Sequence, residues 1–88
     1  LLLWGLLVVV VYSKPGCGSC VATKRALDKA GVSYETVDVS VDSEAREMLI
    51  ERGFGAMPVV APGEDVGSWF GGFQLARLRE VIAAEMAA

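Results

Sequence analysis

The unbroken apolar run Leu6-Leu7-Val8-Val9-Val10-Val11-Tyr12 constrains the fold more than any other stretch of this chain. It does not alternate between apolar and polar side chains, and its β-branched valines favour a strand over a helix. Such a run reads as a strand buried on both faces, and therefore central in a sheet. Ser13-Lys14-Pro15-Gly16 then breaks it. Because Pro15 steers Lys14 away from helical geometry, a helix must begin after it. The spacing predicts that helix over residues 18–30, with Lys24, Arg25, Asp28 and Lys29 wet and Val21, Ala22, Ala26, Leu27 and Ala30 inward. Gly31 ends it as a C′ residue, and Val32 to Val39 follows as a second strand. Strand, helix and strand at this spacing form a βαβ unit, so the two strands are expected to be parallel with a right-handed crossover.

Further along, Asp42 or Ser43 can cap a second helix whose first turn holds Glu44 and whose apolar positions are Ala45, Met48 and Leu49. Gly53 and Gly55 close it. Met57-Pro58-Val59-Val60-Ala61 is a short third strand, Pro62-Gly63-Glu64-Asp65 a turn, and Val66 to Phe70 a hairpin strand ended by Gly71-Gly72. A last helix covers Leu75 to Met86, with Leu75, Leu78, Ile82 and Met86 on one stripe. The order β-α-β-α-β-β-α predicts an α/β architecture, a mixed four-stranded sheet covered by three helices. At 88 residues the chain has room for one domain, residues 1–88, in which residues 1–6 are either an extension of the first strand or an appended segment.

Charge and composition remove several function classes. The balance of 8 Lys plus Arg against 11 Asp plus Glu gives a net charge of −3, and the basic residues are scattered rather than striped, so nucleic acid is not expected as a partner. The apolar opening is too short to span a membrane and lacks the basic start and small-residue cleavage site of a signal peptide. A reducing cytosol is then the default compartment, where a structural disulfide is a poor expectation. There is no His, which removes His-based acid–base chemistry and His metal sites.

Covalent chemistry is left to Cys17-Gly18-Ser19-Cys20, the chain's only two cysteines. Cys17 follows a buried strand and sits at the N-terminus of a helix, where unpaired N–H groups and the positive end of the helix dipole stabilise a thiolate. Less than one turn later Cys20 returns to the same face, so the pair can close and reopen a disulfide with little backbone movement. Cys17 is expected to be the exposed nucleophile and Cys20 the resolving thiol, with Gly18 and Ser19 leaving the rim uncrowded. Lys14 either adds positive field near the thiolate or is an ordinary solvated lysine. Zinc would need four ligands, hence a dimer or several carboxylates. Pro58 is either a strand-start proline or a cis proline beside Cys17, in which case the backbone of Met57 receives an extended substrate. Gly71-Gly72 is either a tight turn or a place where backbone N–H groups meet a carboxylate. Among Trp69, Phe70 and Phe73, at least one belongs to the core and one can form an exposed docking patch.

The segment Val11-Tyr12-Ser13-Lys14-Pro15-Gly16-Cys17-Gly18-Ser19-Cys20 resembles the opening of the glutaredoxins. The stretch Ala22 to Val32, Tyr34, Val37-Asp38-Val39-Ser40, Gly53-Phe54-Gly55-Ala56-Met57-Pro58-Val59-Val60 and Gly72-Phe73 resemble more narrowly the NrdH redoxins. The resemblance implies a thioredoxin fold, a nucleophilic Cys17, a resolving Cys20 and a cis Pro58; the candidate substrate-binding residues are Lys14, Met57, Pro58, Gly71, Gly72 and Phe73. It also implies a dithiol–disulfide oxidoreductase with no bound cofactor. Its electrons would come from NADPH through thioredoxin reductase, and its client would be class Ib ribonucleotide reductase. Two alternatives stand beside it: a glutathione-dependent glutaredoxin, and a dimeric module holding an iron–sulfur cluster or metal. The chain departs from the pattern at Gln74-Leu75-Ala76, where NrdH redoxins tend to carry Arg-Pro-Asp; the absent acid at Ala76 weakens the usual glutathione site, and the altered neighbourhood equally weakens the match to the usual reductase partners.

Overall fold

A computed structural model describes residues 9–87; the opening run's Leu6 to Val8, and the expectation for residues 1–6, lie outside the described residues. The valine run forms β1 (Val9–Ser13), flanked on both sides in a sheet of order β2-β1-β3-β4. β2 (Tyr34–Asp38) pairs with it in parallel, Val11 opposite Thr36. β3 (Val59–Ala61) pairs antiparallel on the other side, Val11 opposite Val60, and β4 (Phe70–Gly71) pairs antiparallel with β3. The helices are α1 (Gly18–Lys29), α2 (Ser43–Glu51) and α3 (Leu75–Ala87). This is the thioredoxin-like α/β fold, with its mixed four-stranded sheet flanked by three helices.

Alternation along the strands divides the core into two. Val9, Val11, Val60 and Phe70 pack with Leu27 of α1 and Leu78 and Val81 of α3. On the opposite face Val59 packs with Val39 and Leu49, joined by Tyr12, Met48, Phe54, Met57 and Trp69. β1 is therefore covered on both faces, as its lack of alternation implies.

Helices α1 and α2 end in the same way. At α1, Gly31 N–H donates to Asp28 O and Val32 N–H to Leu27 O; at α2, Gly53 N–H donates to Ile50 O and Phe54 N–H to Leu49 O. These are Schellman motifs, which place the C′ residue in left-handed geometry. Gly31 (φ +76°) and Gly53 (φ +90°) adopt it without a Cβ penalty. The start of α2 is capped by Asp42, whose Oδ1 accepts from Ala45 N–H at 3.0 Å.

Three sequence expectations shift. Val21 is 50% exposed, and Thr23 takes the inward place. The buried stripe of α1 is Cys20, Thr23 and Leu27, and Val21 stands one residue, about 100°, off it. The expected strand Val66–Phe70 is mostly a 3-10 turn, Val66–Ser68, leaving β4 only two residues. Asp65 explains this, since its Oδ1 accepts from Gly67 N–H and its carbonyl from the Ser68 hydroxyl, local bonds that outcompete the sheet. In α3 the buried face is Leu78 and Val81 with Ile82 packed beside them, whereas Leu75 and Met86 lie exposed at the two ends.

Two measurements probe this framework. Leu27 is fully buried between sheet and helices, so Leu27→Ala is expected to cost about 2–5 kcal/mol in urea unfolding. A loss under about 1 kcal/mol would contradict the packing. At the end of β2, the hydroxyl and backbone N–H of Ser40 both donate to Asp38 Oδ1, and these bonds hold the carboxyl below its ordinary 3.8, with Lys24 adding a smaller pull against a modest desolvation effect. A depressed carboxyl contributes stability above its unfolded pKa and loses it as pH falls through the folded value. The stability gap between wild type and Asp38→Asn is therefore expected to be constant at neutral pH and to narrow below about pH 4. A gap that does not change with pH would contradict the bond pattern.

Candidate active site

The site forms at the end of the sheet where β1 runs out. Ser13 is buried, Lys14, Pro15 and Gly16 turn at the surface, and Cys17 takes the N-cap position of α1 with extended geometry (φ −101°, ψ 105°). An N-cap side chain normally accepts from an N–H of the first turn. Here the acceptor is sulfur: Cys20 N–H points at Cys17 Sγ at 3.2 Å. The two cysteines are joined as a disulfide with Cα atoms 5.2 Å apart. Their exposure differs sharply, Cys17 being half-buried and Cys20 only 2% exposed.

The Pro58 loop approaches from the neighbouring strand. The Met57–Pro58 peptide is cis, Pro58 is buried at the head of β3, and Met57 O lies 3.7 Å from Cys17 Sγ. Gly72 N–H donates to Pro58 O at 2.8 Å, which ties the Gly71-Gly72 turn to the same loop. That N–H is spent within the protein. Gly71 pairs with Val59 inside β4, and Phe73, 43% exposed, emerges directly after the turn.

Lys14 stands in a groove of about 250 Å³ with Arg46, Ile50, Phe54 and Met57. It shares this groove with Met57, whose carbonyl meets the sulfur. Of the three aromatics in question, Phe70 is core and Phe73 is exposed. Trp69 is half-buried, stacked at a tilt between Tyr12 and Phe54 with its Nε1–H donating to Gly63 O and the Arg52 guanidinium over its ring. Burial in this cluster pushes the Tyr12 phenol above its ordinary 10.0, with Arg52 opposing the rise and Asp42 adding to it. Among the described residues no group of three or more Cys, Asp or Glu gathers as metal ligands.

Sequence reasoning singled out neither Arg46 nor the Ser19 hydroxyl. Arg46 lines the Lys14 groove from α2, and its distance along the chain gave no local signal. Ser19 Oγ lies 3.5 Å from Cys17 Sγ. Its signal was present, a hydroxyl in the first turn of a helix capped by cysteine, but only its small size was used.

The glutaredoxin family profile matches residues 9–66. The glutaredoxin-like protein NrdH of Escherichia coli (strain K12) is 38% identical over 63 residues, covering 72% of this chain and 75% of that protein. The chain belongs to the glutaredoxin-like NrdH redoxins. The Gene 56 protein of Mycobacterium phage L5 is 35% identical over 74 residues, covering 84% of this redoxin and 71% of the phage protein. Among solved structures, the Escherichia coli NrdH-redoxin superposes with a TM-score of 0.76 at 32% identity, covering 82% of this chain and 91% of that one. The disulfide between Cys17 and Cys20 in a thioredoxin fold makes this redoxin a thiol–disulfide oxidoreductase.

The difference in burial predicts the order of modification. In the reduced redoxin, limiting iodoacetamide at neutral pH is expected to place its adduct on Cys17, and Cys20 is expected to react only after denaturation. Equal labelling of the two in the folded protein, read by peptide mapping, would contradict it.

Proposed function

We propose that this redoxin is a cytosolic dithiol electron carrier that reduces protein disulfides, with class Ib ribonucleotide reductase as client and thioredoxin reductase as its NADPH-linked source of electrons. The observation that carries the chemistry is the N-cap position of Cys17, whose sulfur accepts Cys20 N–H at 3.2 Å at the positive end of α1. In the reduced redoxin that sulfur is a thiolate. It attacks one sulfur of a client disulfide, forming a mixed disulfide and releasing the other client sulfur as a thiolate that takes up a proton. Cys20, having given up its own proton, then attacks Cys17 Sγ. The client leaves with two thiols, and the redoxin keeps the Cys17–Cys20 disulfide, having given up two electrons.

Binding falls to the Pro58 loop. Pro58 has no N–H, and the main chain of Met57 beside Cys17 Sγ is placed to accept an extended client segment by β-type hydrogen bonds. Phe73, exposed beyond the Gly71-Gly72 turn, adds apolar contact. The choice of thioredoxin reductase is supported by the similarity to the Escherichia coli NrdH-redoxin, described as having a thioredoxin-like activity profile.

One observation favours a second reading, glutathione as reductant. Lys14 and Arg46 share the groove that reaches Met57, and two cations over apolar side chains suit the carboxylate of a small peptide thiol. The assay that separates the readings supplies the redoxin with NADPH and either thioredoxin reductase or glutathione with its reductase, and follows reduction of a protein disulfide. Turnover with thioredoxin reductase and little with glutathione is expected; the reverse result establishes the second reading. Cys17→Ser is expected to abolish turnover with either source, while Cys20→Ser is expected to accumulate a mixed disulfide with the client.

A further inference from the structure

We propose that Ser19 is a positioning residue for the nucleophile: its hydroxyl donates a hydrogen bond to Cys17 Sγ and, after reduction, stabilises the thiolate. This rests on Cys17 being the attacking thiol. Ser19 Oγ lies 3.5 Å from Cys17 Sγ. In the disulfide that sulfur carries no hydrogen, so between these two atoms only the hydroxyl can donate.

The surrounding bonds leave the hydroxyl free for this task. A serine inside a helix commonly turns its hydroxyl back to the carbonyl four residues earlier. Ser19 stands in the first turn of α1, and the residue four back is Pro15, which precedes the helix. Its own carbonyl is held from below by Thr23, fully buried, whose Oγ1 donates to Ser19 O at 2.8 Å. Thr23 thus fixes the main chain of Ser19 under the cap. Cys17 Sγ then faces two donors, the Cys20 N–H and the Ser19 hydroxyl.

Reduction of the disulfide by two electrons leaves Cys17 as a thiolate and puts one proton on Cys20. A negatively charged sulfur accepts hydrogen bonds more strongly than a disulfide sulfur, so the Ser19 bond strengthens on reduction. It lowers the proton affinity of Cys17 and favours the reduced form, which makes the redoxin a weaker reductant. Because Ser19 is exposed, water competes for the hydroxyl and the effect is moderate.

The test is the pH dependence of iodoacetamide alkylation at Cys17 in wild type, Ser19→Ala and Ser19→Thr, with the equilibrium against a glutathione buffer as a second readout. Ser19→Ala is expected to raise the alkylation midpoint by about 0.5–1 in pH, and Ser19→Thr, which keeps the hydroxyl, to return it towards wild type. At a pH above both midpoints the alanine variant is expected to be about three- to tenfold more reducing, roughly 15–30 mV, and the difference is expected to vanish below both midpoints. A purely structural role for Ser19 would not produce that convergence. Equal midpoints in wild type and Ser19→Ala, or equal displacement by alanine and threonine, overturn the proposal while leaving Cys17 as the nucleophile. A wild-type midpoint no lower than that of a free peptide thiol overturns both.

Discussion

The hydrogen bond from the Cys20 main chain to Cys17 Sγ is the constraint on which the site depends, and its meaning is clearest beside the start of α2. There Asp42 occupies the N-cap and its carboxylate accepts the N–H of Ala45, three residues on. At α1 the same acceptor place, filled from the same spacing, belongs to a sulfur. One helix of the protein therefore begins on a carboxylate and another on a cysteine. A helix N-terminus favours negative charge whatever atom carries it. Lys14 lines the neighbouring groove, with Arg46 and Met57.

The sheet brings the other parts to that cap. β1 is bonded on both edges and covered on both faces, and only Lys14, Pro15 and Gly16 separate its last residue from Cys17. The sulfur is thus tethered closely to a strand that cannot move without disturbing both cores. β3 runs antiparallel to β1, so the head of β3 lies at the same sheet end as the tail of β1, with Tyr12 opposite Val59. That register places Met57 and Pro58 against Cys17. The bond from Gly72 N–H to Pro58 O then fixes the loop from its other side, through β4.

Much of this was legible in the sequence because its determinants are local. The valine run announced a central strand, Pro15 and Gly16 the break before α1, Gly31 and Gly53 the helix ends, and Cys17 with Cys20 the chemistry. Other features depend on bonds that periodicity does not encode. The Asp65 turn replaces most of an expected strand, and the ends of α3 run past the apolar layer, so Leu75 and Met86 follow the stripe yet stay wet. Thr23 was hidden by its polarity: it enters the core only because its hydroxyl finds the Ser19 carbonyl one turn earlier. Arg46 and Lys14 are far apart in the chain, and only the packing of α2 beside the end of β1 makes them neighbours.

The division between chemistry and recognition follows from how these features are held. The reacting atoms rest on main-chain groups: a helix N–H at Cys17, the Met57 carbonyl beside it, and the Pro58 carbonyl bound to Gly72. Main-chain geometry survives most changes of side chain, so the centre can stay the same while its surroundings vary. The groups that adjoin it are side chains: Lys14 and Arg46 over Ile50 and Phe54 in the groove, and exposed Phe73 beyond the glycine turn. Each of these can change without moving Cys17. Exposed Gln74, Leu75 and Ala76, just after Phe73 and at the start of α3, belong to the same side-chain margin.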